Sequence, residues 1–135
     1  TNGTQAIHQA RKAKRVLIGA FLNAKACAQK AYSYQQDIVI LCSGTNGFFS
    51  LEDSVAAGCL IHELKTFDAS IPCDELGLML WKSYQGFFQH HLKQLMESYG
   101  AKRLLHYGLE QDVLLCLQKD RYALVPYLYE DQLII

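Results

Sequence analysis

A small polar tripeptide, Thr-Asn-Gly, occurs twice in this chain of 135 residues. The first copy is residues 1–3, and the second is residues 45–47, inside the stretch SGTNGFFSLED at residues 43–53. Glycine lets the backbone approach a ligand closely, and the backbone N–H groups at the start of a helix attract anions. Each copy leads into a predicted helix, so the repeat predicts two neighbouring loops that bind an anion such as phosphate.

The same three residue types are also common in turns and helix caps. A single Thr-Asn-Gly is therefore typical of plain turn chemistry. Only the recurrence of the motif before two helices favours the anion pocket, so both interpretations remain open from the residues alone.

Two adjacent carboxylates, Glu52 and Asp53, follow the second copy in the first turn of a predicted helix. They are candidate catalytic groups and candidate Mg²⁺ ligands, because Mg²⁺ binds one or two carboxylates together with water and phosphate oxygens. The alternative is a capping box with Ser50 as the N-cap and Asp53 reaching back to it. Adjacent helical residues point about 100° apart, so we expect the two carboxylates to have different roles. We expect Glu52 to face the site, and for Asp53 both roles, capping residue and ligand, remain open.

Other reactive side chains are less consistent with a catalytic site. Cys42 lies at a strand end, as a phosphatase thiolate would, but Phe48 occupies the position where the accompanying arginine is needed. We therefore expect Cys42 to be a core cysteine. The histidines lack a metal-ligand spacing, because adjacent histidines diverge on a helix.

Alternating strand and helix patterns must position these residues. The clearest strand is DIVILCSG at 37–44, which is continuously apolar from Ile38 to Cys42, as expected for a parallel strand covered on both faces. The order predicts an α/β fold, a three-layer α/β/α sandwich with a mainly parallel sheet and one domain over 1–135. The other predicted elements are helices 4–14, 23–34, 50–65 and 109–118, a shorter helix within 98–108, strands 15–21 and 121–129, and a long amphipathic pattern over 74–98 that Gly86 bends or splits.

Composition limits the class of protein. Thirteen basic and thirteen acidic residues cancel, so the chain has no excess charge for a nucleic acid partner. Its apolar runs are too short to span a bilayer, so we expect no membrane partner. Five cysteines, odd in number and widely spaced, predict buried thiols in a reducing compartment and a cytoplasmic location.

Several stretches together resemble a known family. TNGTQAI at the start, VLIGAFLNA at 16–24, DIVILCSGTNGFFSLEDSVAAGCLI at 37–61 and GLEQDVLLCLQKDRYALVPYL near the end are similar to the C-terminal half of the 2-phosphosulfolactate phosphatase family. The similar stretches occur in order over most of the chain, and GTNGxFSLED is the most specific of them.

This resemblance implies a Mg²⁺-dependent acid phosphatase that hydrolyses 2-phospho-3-sulfolactate to 3-sulfolactate and phosphate, in coenzyme M biosynthesis or sulfolactate metabolism. The substrate would be a small anionic phosphate ester. The family motif corresponds in this chain to two carboxylates, Glu52 and Asp53, and to a phosphate-binding set comprising Thr1, Asn2, Gly3, Thr4, Gly44, Thr45, Asn46, Gly47 and Ser50.

Chains of that family are nearly twice as long, and their N-terminal half carries further motifs, including an Asp-containing strand end and a Gly-Glu segment, that this sequence lacks. We therefore expect an incomplete sheet. Two hypotheses follow: a phosphatase, or a catalytically incomplete fragment that binds an anion or forms a homo-oligomer through its strand edges.

Overall fold

A computed structural model describes residues 2–135. These residues form a mixed α/β structure that is mostly helical, with one small antiparallel sheet. The helices are α1 (Asn2–Ala10), α2 (Ala24–Ser33), α3 (Leu51–Phe67), α4 (Glu75–Ser83), α5 (Gln89–His91), α6 (Tyr99–His106) and α7 (Glu110–Cys116); the strands are β1 (Tyr127–Tyr129) and β2 (Gln132–Ile134). None of the described helices is both long enough and apolar enough to cross a bilayer.

Helix α3 is the centre of the packing. Ser50 is its N-cap, as predicted, because the Ser50 hydroxyl accepts a hydrogen bond from the backbone N–H of Asp53 at 3.2 Å. Helices α2 and α4 pack against α3. The hydrophobic core gathers around α3 and consists of Phe21, Ala24, Val55, Cys59, Tyr84 and Leu95.

Close approach of α3 and α4 depends on Gly58. A Cβ atom at this position would overlap the carbonyl oxygen of Leu80 and come within 2.9 Å of the Tyr84 Cβ. The sequence predicts that Gly58 permits close packing against a strand; in the structure it permits close packing against a helix instead.

The long amphipathic pattern over 74–98 is interrupted, as expected at Gly86. A π-helix at Tyr84–Phe88 follows α4, and a 3-10 helix at Leu92–Glu97 follows α5. The first helix also differs from its prediction, because α1 begins at Asn2 and Thr4 lies inside it rather than at its N-cap.

The sheet continues beyond its two named strands. Residues 16–18 run antiparallel to β1: Ile18 donates its N–H to the Pro126 carbonyl at 2.8 Å, and Leu128 donates to the Val16 carbonyl at 3.0 Å. Pro126 has no N–H to donate. The Ile18 carbonyl instead accepts from the side-chain amide of buried Asn23 at 3.1 Å.

Charged side chains at positions 119 and 120 link the loop after α7 to helices α2 and α3. The Asp120 carboxylate accepts the Lys25 N–H in the first turn of α2 at 2.6 Å. The Lys119 ammonium pairs with the Glu63 carboxylate of α3, which is 6% exposed. A carboxylate this buried needs such a partner, since an unpaired buried charge is strongly destabilising.

A three-layer sandwich with a mainly parallel sheet is not confirmed. The pairings recorded among residues 2–135 are antiparallel. The residues of the expected central strand at 37–44 form no strand pairing with any other described residue, and Val39 is 90% exposed. The expectation that both faces of this strand are covered is therefore wrong, because the side chains of Val39 and Leu41 are exposed.

We expect Gly58→Ala to lower the free energy of unfolding by about 1–3 kcal/mol, because the added methyl group forces α3 and α4 apart. Gly86→Ala is the matched control: a Cβ there meets nothing within 4 Å, so its effect should stay within about 1 kcal/mol. Urea unfolding followed by circular dichroism measures both. Equal effects of the two substitutions would contradict this account of Gly58.

Candidate functional site

The second Thr-Asn-Gly copy forms a tight two-residue hairpin. Thr45 and Phe48 exchange two backbone hydrogen bonds, each 3.0 Å long. Between them Asn46 and Gly47 have φ angles of +54° and +80°, and positive φ at both central positions is typical of the type I′ turn that Asn-Gly favours. The turn interpretation is therefore correct for this copy.

Gly44 makes the hairpin possible. Its φ is +67°, and a Cβ atom there would come within 2.7 Å of the Phe48 carbonyl oxygen. A larger residue at position 44 would be strained both by its backbone conformation and by this contact.

The two copies of the motif meet in space. The backbone N–H of Asn46 donates a hydrogen bond to the Asn2 side-chain oxygen at 3.2 Å. Asn2 and Gly3 begin α1, so the contact joins the start of that helix to the hairpin. Thr4 lies on α1 and is exposed, whereas Thr1 lies outside the described residues.

Asp53 binds the same hairpin from α3. Its Oδ2 atom accepts the Gly44 N–H at 2.6 Å and the Ser43 hydroxyl at 3.0 Å. Its Oδ1 atom has no hydrogen-bond partner among residues 2–135. The Asp53 carboxylate therefore faces the hairpin with one oxygen available, while its backbone N–H serves the Ser50 cap.

Glu52 points to a different place. Its Oε2 accepts the Ser50 hydroxyl at 2.9 Å, and its Oε1 accepts the Ser98 hydroxyl at 2.5 Å. Ser98 is the N-cap of α6 and accepts the Ala101 N–H at 3.1 Å. One carboxylate thus bridges the N-cap serines of two helices. We expected Glu52 rather than Asp53 to face the anion site, and the observed contacts are the reverse.

Hydrogen bonding controls the ionisation of Glu52. Burial alone would raise its pKa, but hydrogen bonds from Ser98, from the Glu52 backbone, from Ser50 and from the Ala101 backbone lower the pKa below its usual value. Glu52 is therefore held as a carboxylate. Space is also restricted here, because a Cβ atom at Gly100 would collide with the Glu52 carboxylate.

Sequence reasoning missed Ser98 and Gly100. The relevant signal is SYGAKRLLH at 98–106, where a serine precedes a helical pattern as an N-cap would. Nothing in the sequence indicates that this cap pairs with a carboxylate 46 positions earlier.

Three helix starts are therefore connected by hydrogen bonds. Asn2 connects α1 to the hairpin, Asp53 connects the hairpin to α3, and Glu52 connects α3 to α6. Each helix start carries partial positive charge on its backbone N–H groups. The arrangement can attract and orient a small anion near the hairpin.

The carboxylates differ in their fitness for a metal ion. Among residues 2–135 no group of three or more Asp, Glu, His or Cys side chains is placed to hold one. Each oxygen of Glu52 accepts a hydrogen bond from a serine, so a metal ion would compete there with Ser50 and Ser98. Asp53 has one oxygen without a protein partner, which fits Mg²⁺ bound by a single carboxylate and mostly by water.

Cys42 is not the core cysteine that we expected, because it is exposed. Its thiol donates to the Asp53 carbonyl at 3.6 Å. Partial desolvation of the sulfur and the negative charge of Asp53 raise the pKa of this thiol. A raised pKa disfavours the thiolate that nucleophilic catalysis needs.

Known proteins resemble the whole of this chain. The family model described as 2-phosphosulpholactate phosphatase matches residues 1–131. Each of three relatives is named a probable 2-phosphosulfolactate phosphatase. The Symbiobacterium thermophilum protein is 33% identical over 100% of this chain. The Clostridium novyi protein is 38% identical over 93% of it, and the Thermotoga petrophila protein is 35% identical over 95%.

The chain spans only part of these relatives, namely 58%, 53% and 54% of their respective lengths. It corresponds to their C-terminal half. Because the family model covers nearly all of the sequence, this chain belongs to the 2-phosphosulfolactate phosphatase family.

Proposed function

We propose that this chain supplies the phosphate-binding part of a phosphatase that hydrolyses 2-phospho-3-sulfolactate to 3-sulfolactate and phosphate. The observation that carries the proposal is the joining of the starts of α1 and α3 at the hairpin at 44–48, through Asn2 and Asp53, while Glu52 links the start of α6 to α3. Such a substrate bears a phosphate, a sulfonate and a carboxylate, so several N–H-rich helix ends suit it. The relatives' names support this substrate class.

Asp53 is the proposed catalytic carboxylate. Its free oxygen is placed beside the hairpin, where it can orient the water that attacks phosphorus or bind Mg²⁺. Bound Mg²⁺ would neutralise charge on the phosphate oxygens as a Lewis acid. Glu52 is a positioning residue in this proposal, because its carboxylate contacts the two N-cap serines.

Hairpin residues Gly44, Thr45, Asn46 and Gly47 form the proposed phosphate-binding edge, with Asn2 and Gly3 of α1 beside them. Two N–H groups of the hairpin already donate hydrogen bonds: the Asn46 N–H donates to the Asn2 side chain, and the Gly44 N–H donates to the Asp53 carboxylate. These contacts fix the hairpin before any ligand binds, so a phosphate would meet the N–H groups that they leave unoccupied in a preorganised position, without a reorganisation cost.

A second candidate is a non-catalytic domain that binds an anion or self-associates. The unpaired, exposed segment at 37–42 favours it, because an open strand edge is a template for association. A role in coenzyme M biosynthesis or sulfolactate metabolism, and a cytoplasmic location, belong to the first candidate.

Phosphate release separates the two candidates. We expect the protein expressed from its native reading frame to release phosphate from 2-phospho-3-sulfolactate only when Mg²⁺ is present, with loss of activity in EDTA and recovery on adding Mg²⁺. Colorimetric phosphate measurement checks this. Anion binding without any phosphate release at saturating Mg²⁺ would favour the second candidate.

The two carboxylates should respond differently to neutral replacement. Asp53→Asn should lower kcat by about 100-fold or more with little change in melting temperature, because the amide cannot act as a base or a strong metal ligand. Glu52→Gln should lower the free energy of unfolding by about 1–2 kcal/mol, because it weakens charge-assisted hydrogen bonds to two serines. Steady-state kinetics and thermal melts measure both. The reverse pattern would exchange the two assigned roles.

Glu52 also predicts a pH dependence of stability. Its pKa is lower in the folded chain than its usual value, so its contribution is fully present above the unfolded pKa of about 4.3 and is lost as the pH falls through the folded value. The difference in unfolding free energy between wild type and Glu52→Gln should therefore be constant above about pH 5.5 and shrink below about pH 4. Urea titrations across that range test this, and a difference that grows on acidification would contradict it.

A further inference from the structure

The segment at 37–42 lies outside the helices and strands, is largely apolar and has no backbone hydrogen-bond partners within residues 2–135. No backbone N–H or C=O group of these residues is hydrogen-bonded to any other residue within 2–135. Large apolar side chains on it are exposed, with Val39 at 90% and Leu41 at 49%. An unpaired apolar segment of this kind is unfavourable in water and is a template for another strand.

A second open edge belongs to the strand segment at 16–19. Backbone groups of successive strand residues point to opposite edges. Val16 and Ile18 bond to the residues around β1, so the N–H and C=O groups of Leu17 and Gly19 point away from β1. Those groups of Leu17 and Gly19 have no hydrogen-bond partner in the described part of the chain.

An apolar groove of about 660 Å³ is lined by the unpaired segment at 37–42 and by the strand segment at 16–19 with its open edge. Its other walls come from α1, α2 and α3, which contribute Ile7, Ala28 and Leu60. At the usual spacings within and between sheets a strand occupies roughly 160 Å³ per residue. The groove therefore has room for roughly four residues of one strand, which matches the segment at 16–19 and most of the segment at 37–42.

We propose that this apolar groove receives one β-strand from the polypeptide that members of the family carry outside the region matched by this chain. Only a strand presents N–H and C=O groups along both of its edges, and could therefore pair with both segments that line the groove. The inserted strand is predicted to be rich in Val, Ile and Leu, because the walls of the groove are apolar.

The lengths of the relatives support this source. The chain spans 58% of the Symbiobacterium thermophilum protein and 53% of the Clostridium novyi protein, so a little under half of each relative remains to supply a strand. A second copy of this chain fits less well. In the second copy the segment at 37–42 is covalently joined to α2 and α3, which pack against each other. To insert that segment, the second copy would have to bring its α2 and α3 into a groove that α2 and α3 of the first copy already line.

The probe is the part of the Symbiobacterium thermophilum relative that lies outside the matched stretch, expressed as a separate polypeptide. We expect it to bind this chain and to slow hydrogen exchange of the Val39, Ile40 and Leu41 amides by about tenfold or more. Exchange in this chain alone should be fast at the same three positions. The relative's own matched half, mixed with the same probe, is the positive control.

Two matched lysine variants locate the binding surface. Val39→Lys places a charge in the apolar groove and should weaken binding by about tenfold or more. Met79→Lys replaces an apolar side chain that is 56% exposed on α4, outside the groove, and should leave the affinity unchanged. Isothermal titration calorimetry measures both, and circular dichroism verifies that each variant is folded.

Three results would overturn the proposal. The first is that the probe slows hydrogen exchange in the relative's own matched half but not at residues 39–41 of this chain. The second is binding that Met79→Lys weakens as much as Val39→Lys does. The third is a stable dimer of this chain alone, seen by sedimentation equilibrium, with the same amides protected, because the occupant would then be a second copy. None of these depends on phosphate release, so they are distinct from failure of the proposed function.

Discussion

The Glu52 carboxylate holds together the part of the structure on which the candidate site depends. It accepts hydrogen bonds from Ser50 and Ser98, and each of these serines accepts an N–H group of its own helix. Helix α6 otherwise packs on α7 and on the 3-10 helix before it, so this carboxylate is its direct polar link to α3. Glu52 retains its charge because the hydrogen bonds to its carboxylate together offset the desolvation that its partial burial imposes.

The residue after Glu52 in the first turn of α3 contacts a different part of the structure. Asp53 follows Glu52 by one position and therefore points about 100° away, to Gly44 and Ser43. Fixing Glu52 between two helix caps thus fixes the direction of Asp53 as well. The hairpin in turn is fixed from its other side by Asn2. The hairpin is therefore held by α1 and α3 together, and such rigid support preorganises hydrogen-bond donors before a ligand binds.

Local signals in the sequence predicted local structure well. The Ser50 cap and the interruption at Gly86 depend on a few neighbouring residues and are confirmed, whereas the strand predicted over 121–129 is confirmed only for Tyr127–Tyr129. The direction of Glu52 could not be predicted, because its partner Ser98 is 46 positions away. The exposure of residues 37–42 could not be predicted either, since an apolar run indicates that a strand needs cover and does not indicate which polypeptide covers it.

The unpaired strand and the candidate site are physically connected. Residues 37–42 continue directly into Ser43 and Gly44, whose contacts with Asp53 fix the base of the hairpin. In open α/β sheets ligands bind beyond the carboxyl ends of the strands, which is where this hairpin lies relative to the segment. A strand that entered the groove would immobilise 37–42 along its length and would end near the same hairpin if it ran parallel to it. Completing the sheet and completing the anion site would then be one event, because the residues that pair with the new strand are the ones that lead into the hairpin.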